Sequence, residues 1–375
     1  MSIPFFLRLW TLLSNRVGLI FGVIMHLFGF NIYCQGEIDQ PFENHDSILL
    51  LYYDSGDFQL SKTYALDILK KDSLNQVSLG VLAQIYESEQ NIAKAIKYHT
   101  IRFKQDSTNA KICRKLGQLY AEAEIFREAH FYYRLANKLN DRDMLAIKGL
   151  IDIYLITENL ANADSLIIVG MEIDSNNVGL LLARARVSYK MKDMNVVVTA
   201  LDKAGNMTNL NNYYLRMLGY ANLQIDSLEK AVYYLKAALE TDRNPEFTYY
   251  YLALAHERLN EPTIAANYYE EAIEAGISKE LHTYYQRLGM LMVREEKYKE
   301  AYAYLSEALT LRRDSISLYF MALTCDHRFK DKSKALTYFK ELLNNPGNLD
   351  PAMLTYAKSR TQLLEEELHQ KRVKP

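Results

Sequence analysis

Small residues recur along most of this chain at a fixed distance of 34 residues. One series consists of Ala83, Gly117, Ala185, Gly219 and Ala253. A second series consists of Ala95, Ala129, Ala163, Ala231 and Ala265, and a third of Ala136, Gly170, Ala204, Ala238 and Ala272. A period of this length, with small residues at three fixed positions, predicts a chain built from stacked pairs of helices.

The spacing has a physical cause in helix packing. Leu82, Ala83 and Tyr86 lie three and four residues apart, so they share one face of the first helix of their unit. An alanine or glycine at a helix crossing allows the two axes to approach closely, and the larger neighbours fill the space around it. Two helices cannot bury such a face alone, so consecutive units stack and share one core.

The pattern resembles that of the tetratricopeptide repeat family. In this register the units begin at Phe42, Gln76, Ala110, Met144, Val178, Asn212 and Glu246, and after a slip near residues 276–278 at His282 and Ile316. The resemblance implies an all-α fold, a right-handed α-solenoid of about nine helix-turn-helix units over residues 42–349. Asp350 and Pro351 then start a capping helix with a basic tail, which takes up residues 350–375.

The N-terminal segment differs in kind from the repeats. Arg8 and Arg16 are the only charged residues among residues 1–34, an apolar run covers residues 17–33, and acidic residues follow. This order predicts export, with the repeats in the periplasm or cell envelope. We therefore assign residues 1–34 to a signal peptide or N-terminal membrane anchor and residues 35–41 to a linker, as in an exported bacterial repeat protein. Cleavage after Cys34, lipidation of Cys34, and retention with membrane association through residues 17–33 remain open.

No catalytic or metal-binding motif is visible in the sequence. The chain has no glycine-rich phosphate loop, no pair of cysteines two residues apart, and no two histidines at a metal-binding helical spacing. We predict no enzymatic activity, no cofactor and no metal. The formal net charge of −2 also argues against nucleic acid as a partner, because a nucleic-acid protein needs a basic face. Cys113 and Cys325 fall in distant units, so they are not expected to form a disulfide.

The resemblance places a concave groove along the first helix of each unit. In the C-terminal half the groove positions are rich in tyrosine and arginine, the residue types that dominate binding hot spots. The candidate groove residues are Arg186, Tyr189, Lys190, Tyr213, Arg216, Tyr220, Phe247, Tyr250, Arg258 and Arg294. The N-terminal half places mostly acidic residues there, such as Glu87 and Asp152. The groove is expected to bind a protein or peptide, and an acidic segment is one candidate.

Two alternatives stay open at this point. The groove could instead bind a glycan or cell-wall fragment, as a sensor or accessory subunit of an envelope complex, since tyrosine and arginine also suit sugars. Six Asp-Ser pairs are followed by an apolar residue or threonine, among them Asp72-Ser73 and Asp106-Ser107, and they resemble acceptor sites for O-glycosylation. Aspartate at several of these places also suits helix capping. The oligomeric state and the identity of the partner do not follow from the sequence.

Overall fold

The computed structural model describes residues 45–276 and 279–373, in which all regular structure is α-helical. The helices in this part are α1 (His45–Asp54), α2 (Phe58–Lys71), α3 (Gln76–Ser88), α4 (Ile92–Gln105), α5 (Ala110–Glu122), α6 (Phe126–Leu139), α7 (Met144–Ile156), α8 (Leu160–Ile173), α9 (Val178–Lys190), α10 (Met194–Gly205), α11 (Asn212–Gln224), α12 (Leu228–Leu239), α13 (Glu246–Arg258), α14 (Pro262–Ala275), α15 (Leu281–Arg294), α16 (Tyr298–Leu311), α17 (Ser315–Arg328), α18 (Ser333–Asn344) and α19 (Pro351–Val373). The predicted all-α fold of repeated helix pairs is confirmed.

The helix starts confirm the repeat register. Six first helices begin at the residues that the sequence predicts, from α3 at Gln76 to α13 at Glu246. The next two, α15 and α17, begin one residue before the predicted His282 and Ile316. The leader at residues 1–34, the linker at 35–41 and the first unit start at Phe42 lie outside the described residues.

The chain divides into two compact units after Val81, within α3. In the first unit, α1 and α2 pack with Leu49 and Ala65 fully buried, and the Asp57 carboxylate caps α2 by accepting the backbone N–H of Leu60. In the second unit, each helix packs on the next one along the chain, and first helices of consecutive units also touch. This is the arrangement of a solenoid, whose core is shared between neighbouring units.

The small residues of the first series make room for a side chain of the second helix in the same unit. A Cβ added at Gly219 would lie 2.6 Å from Cγ of Leu235, and one added at Gly289 would lie 2.6 Å from Cγ of Leu305. Non-bonded Cβ atoms essentially never come this close to another atom, so alanine at either place would force the leucine side chain to shift. The 34-residue spacing therefore arises because the same helix–helix contact is repeated in successive units.

The fourth unit breaks this pattern and compensates for it. Ile151 stands where six other units have alanine or glycine, and Gly149 lies two residues earlier. A Cβ on Gly149 would lie 2.3 Å from Cζ of Tyr133, a residue of the preceding α6. The ring of Tyr133 also packs on Gly117, where an added Cβ would lie 2.8 Å from Cγ of the ring. One tyrosine ring thus lies between glycines of two consecutive first helices.

In the first eight helix pairs, the turn between the two helices uses one residue in the left-handed region of the backbone. The positive-φ residues that are not glycine are Gln90, Glu124, Glu158, Lys192, Asp226, Asn260 and Glu296, with φ between 56° and 64°. The first pair has Gly56 at the equivalent place, with φ 82°. Side chains with a Cβ adopt this conformation at a steric cost, so the repeat imposes the turn geometry on sequences that do not favour it.

Several of the Asp-Ser pairs make local side-chain hydrogen bonds in the turns between helices or at a helix start. The Asp72 and Asp106 carboxylates accept the backbone N–H groups of Leu74 and Thr108, two residues further on. Asp314 caps α17 by accepting N–H groups from Ile316 and Ser317. Local side-chain caps of this kind satisfy backbone groups at the helix ends, and they account for aspartate at these places.

The last helix, α19, packs on α18 through a stripe that includes Ala357 and Leu364, both fully buried. The Arg360 guanidinium on the same helix donates to the Asp326 carboxylate of α17. Helix α19 therefore covers the last repeat with one apolar stripe and one ion pair. Cys113 and Cys325 are buried free thiols, as expected. Among the described residues, no helix is both long and apolar enough to span a bilayer.

Candidate functional site

Four first helices of consecutive units, α9, α11, α13 and α15, carry the candidate groove residues. Arg186, Tyr189 and Lys190 lie on α9, Tyr213, Arg216 and Tyr220 on α11, Phe247, Tyr250 and Arg258 on α13, and Arg294 on α15. First helices of neighbouring units contact each other at several of these steps, so side chains from different units can meet.

Aromatic rings form a continuous row across these four helices. The rings of Tyr189 and Tyr220 meet edge to face with centroids 5.6 Å apart, and Tyr220 and Tyr251 lie 4.8 Å apart. Tyr251 and Tyr250 follow at 5.8 Å, and Tyr250 and Tyr284 at 4.9 Å. We call these five residues the tyrosine row. Such tilted and edge-to-face contacts are the preferred geometry of aromatic pairs, so the row is held in place by its own packing.

Three phenols of the row, those of Tyr189, Tyr250 and Tyr251, stay neutral over the physiological pH range because their pKa values are raised. Burial raises the pKa of Tyr189, Tyr250 and Tyr251, and nearby tyrosines or acidic side chains raise it further. The Tyr284 hydroxyl donates to the Glu246 carboxylate at 2.9 Å. Neutral phenols can both donate and accept hydrogen bonds, and their rings add apolar contact area. A row of this kind suits the backbone and side chains of a polypeptide.

A cavity of about 810 Å³ opens beside the first two rings of the row. Tyr189 and Tyr220 form one side, and Gln224, Met191 and Asp193 contribute to the rest. Its volume lies within the range of known ligand pockets. The row therefore borders a recess that can receive a side chain of a partner.

Four of the five candidate cations pair with carboxylates of another repeat unit at the surface. Arg186 donates to Asp152 at 2.8 Å and Arg258 to Asp226 at 2.7 Å. Lys190 and Glu158 approach to 3.6 Å, and Arg294 and Glu257 to 3.5 Å. The side chains of Asp152 and Asp226 are 49% and 72% exposed, so water screens both pairs. Surface pairs of this type contribute little to stability and exchange readily for another carboxylate.

Arg216 differs from the other cations because its partner is buried. It donates to the Asp242 carboxylate at 2.9 Å, and the Asp242 side chain is only 4% exposed. Asn212 and Thr248 donate to the same carboxylate. Arg216 thus ties the loop between α12 and α13 to α11, which gives it a structural role in addition to its place in the groove.

Comparison with known protein families identifies one of the repeats. The family model of the tetratricopeptide repeat matches residues 282–315, which start at the predicted eighth unit and hold most of α15 and all of α16. The same helix pair recurs through the described chain with the spacing that the sequence predicts. Residues 282–315 are therefore a tetratricopeptide repeat. The fold of this family is that of a protein–protein interaction scaffold.

Solved structures of tetratricopeptide repeat proteins resemble this one at low identity. A chain of the APC/C hetero-tetramer Cut9–Hcn1 is 15% identical, with a TM-score of 0.46 over 81% of this chain and 58% of that chain. A tetratricopeptide repeat protein from Parabacteroides merdae is 15% identical, with a TM-score of 0.47 over 67% of this chain and 98% of its own. YrrB, described as having an unusual peptide-binding site, is 16% identical, with a TM-score of 0.45 over 53% and 97%. No curated protein sequence matches the chain.

Two members of the tyrosine row fall outside the positions that the tetratricopeptide repeat resemblance supplies. Tyr251 and Tyr284 were not among the predicted groove residues, yet they join Tyr220 and Tyr250 into one row. The run of three tyrosines at residues 249–251 is the one sequence signal that could have drawn attention to Tyr251.

Two other candidates make no ring contact with the tyrosine row. Phe247 is 36% exposed and makes no ring contact with any described residue. Tyr213 packs edge to face on Tyr214 at 5.0 Å and is 45% exposed, so much of its ring is available to a partner.

The acidic residues of the N-terminal half of the solenoid are internally paired as well. Glu87 contacts the buried His99 at 2.6 Å and Lys115 at 2.7 Å. Burial alone would raise the pKa of the Glu87 carboxyl, but its hydrogen bonds with His99 and Lys115 outweigh burial and lower it. Glu87 therefore stabilises its own units. Within the described residues, no three histidine, cysteine, aspartate or glutamate side chains are grouped as metal ligands.

Proposed function

We propose that this protein is an extracytoplasmic scaffold that binds a protein or peptide segment along α9, α11, α13 and α15. The observation that carries the proposal is the tyrosine row, in which five aromatic rings lie in continuous contact across four helices. Tyr284 is buried and supports the row from below, and the other four rings are partly exposed. Rigid aromatic side chains lose little conformational entropy on binding, so a preassembled row is a favourable contact surface.

The surface cations beside the row would orient the bound segment more than they would strengthen its binding. A partner carboxylate that binds Arg186 or Arg258 displaces Asp152 or Asp226, so one exposed ion pair replaces another. The net gain in free energy from such an exchange is small, while the planar guanidinium still fixes the orientation of the incoming carboxylate. Most of the binding free energy would come from burial of the tyrosine rings.

Photo-cross-linking tests the proposal. Tyr213 and Tyr233 form a matched pair in one unit, since each is an exposed tyrosine that packs edge to face on the next residue. Tyr213 lies on α11 beside the row, and Tyr233 lies on the second helix, α12. A benzophenone amino acid placed at position 213 should cross-link a protein segment in native cells, and the same group at position 233 should not. Cross-linking at position 233 alone, or to a sugar polymer at position 213, would refute it.

The extracytoplasmic location is part of this proposal and rests on the charge order around residues 17–33. A reporter active only outside the cytoplasm, fused after α19, should be active in the host, and a reporter active only inside should not. N-terminal sequencing of the mature protein distinguishes the alternatives for the leader, because a start at Gln35 indicates cleavage and an intact Met1 indicates an anchor. Activity of the cytoplasmic reporter alone would refute export.

A further inference from the structure

A second groove lies between α6 and α8, which are the second helices of consecutive units. It encloses about 810 Å³. Leu150 and Tyr154 of α7 lie among its lining residues, together with side chains from α6 and α8. None of the candidate groove residues predicted from the sequence lines this space, so it is separate from the tyrosine row.

One wall of the second groove carries unpaired positive charges. Arg127, Phe131, Arg134 and Lys138 lie at successive intervals of four, three and four residues on α6, which places them on one exposed face. We call these four residues the basic stripe. In the described part of the chain, none of its three cations forms an ion pair, and no acidic side chain lines the groove. The five candidate cations beside the tyrosine row, in contrast, each form an ion pair.

The fold does not require positive charge at these positions. The equivalent residues of α12, 102 positions later, are Glu229, Tyr233, Lys236 and Glu240, and those of α14 include Glu270 and Glu274. Helices α12 and α14 still pack in the same way, with the same small residues buried. Packing of the second helix therefore tolerates either sign of charge on this face, and the basic stripe belongs to a surface rather than to the core.

The rest of the second groove offers apolar contacts. Phe131 is 57% exposed and Val169, on the opposite wall, is 45% exposed. His130 stays neutral, because burial and the nearby Arg134 lower its pKa.

We infer that the second groove binds an acidic peptide segment of another protein, in which carboxylates alternate with apolar anchor residues. The carboxylates meet the basic stripe, and the anchors contact Phe131 and Val169. Helix α6 has 14 residues and is therefore about 21 Å long. An extended segment of about six residues covers that length. The inference is independent of the tyrosine row.

Selection from a peptide library tests the inference that the second groove binds an acidic peptide. A phage-displayed library of random 12-residue peptides is panned against the whole protein, and the enriched peptides are synthesised and titrated. The double variant Arg134→Glu with Lys138→Glu removes two cations of the stripe, and Lys230→Glu with Lys236→Glu on α12 is the control with an equal change in charge. All four residues are exposed, so thermal melts should be unchanged.

We expect enriched peptides that combine aspartate or glutamate with apolar residues. Their affinity should fall at least about tenfold in the stripe variant and stay within about twofold in the control. The Tyr220→Ala variant should leave this binding unchanged, which separates a failure here from a failure of the groove along α9 to α15. Absence of enrichment, insensitivity to the stripe variant, or loss in Tyr220→Ala would each overturn the inference. So would binding to phosphatidylglycerol vesicles without peptide binding, or a dimer that the stripe variant abolishes.

Discussion

The Arg360 guanidinium donates two hydrogen bonds to the Asp326 carboxylate, at 2.7 Å and 3.0 Å, and joins the last helix to the ninth unit. The Asp326 side chain is 7% exposed. Lys332 also contacts it, and Glu367 accepts a hydrogen bond from Arg360. The end of the solenoid is thus closed by a charged network next to the apolar stripe of α19. A bidentate pair in a buried place fixes orientation as well as contributing free energy.

Replacing Asp326 with asparagine should lower the stability of the C-terminal units in a pH-dependent way. Burial raises the pKa of the Asp326 carboxyl, but Arg360 and Lys332 outweigh burial and hold it below its ordinary value. The stabilisation is therefore complete above the ordinary aspartate pKa of about 3.9 and disappears as the pH falls through the folded value. We expect a deficit on the order of 2–3 kcal/mol at pH 7. Melts should show the deficit shrinking below about pH 4; a constant difference at all pH values would contradict this.

Gly149→Ala should destabilise the protein although alanine is the better helix former. The added Cβ would lie 2.3 Å from Cζ of Tyr133, so the buried ring must move. Overpacking of this type costs about 1–3 kcal/mol, which exceeds the gain of about 0.5–1 kcal/mol in helix propensity. Gly205→Ala is the control, because its Cβ would meet nothing closer than 3.5 Å. Circular dichroism melts should move in opposite directions for the two variants.

The repeat itself could be read from the sequence because one contact recurs with one spacing. Gly219 and Leu235 lie 16 residues apart in the same unit, as Gly289 and Leu305 do, so periodicity alone reveals the pair. Gly149 could not be found in this way. It contacts a residue of the preceding unit, and no other unit has glycine at the equivalent position. Only the three-dimensional packing therefore shows its role.

Lys192→Gly should stabilise the protein by up to about 1 kcal/mol. Lys192 holds φ at 63° in the turn between α9 and α10, where a Cβ is unfavourable and glycine is not. Lys236→Gly, on the exposed surface of α12, is the matched control and should destabilise by about 1 kcal/mol. Chemical denaturation of both variants checks the pair. A loss of stability in Lys192→Gly would contradict the steric cost that we assign to the left-handed conformation of Lys192.

Arg216→Ala and Arg186→Ala should differ in stability. Arg216 forms an ion pair with the buried Asp242, so its removal leaves a buried carboxylate with one partner fewer. We expect the free energy of unfolding to fall by about 2 kcal/mol. Arg186 serves the half-exposed Asp152, and its removal should cost less than about 1 kcal/mol. Thermal melts decide between a structural and a surface role. Equal midpoints for the two variants would mean that the Asp242 network is not needed for folding.

The groove residues could be named from the repeat register, but their internal partners could not. Asp242 lies 26 residues after Arg216, and Asp152 lies 34 residues before Arg186. Which carboxylate meets which cation depends on side-chain placement between neighbouring units, and the periodicity of small residues says nothing about it. Tyr251 was missed for the same reason, since its ring reaches Tyr220 from outside the expected positions.

Calorimetric titration of the segment captured at position 213 tests the central claim most directly. The Tyr220→Ala variant removes the ring that joins Tyr189 to Tyr251, and Tyr233→Ala on α12 is the control. If the tyrosine row is the binding surface, Tyr220→Ala should weaken binding more than about tenfold, equivalent to about 1.4 kcal/mol, and Tyr233→Ala should change it less than about twofold. Equal affinities for wild type and Tyr220→Ala, or a larger loss in Tyr233→Ala, would contradict the claim.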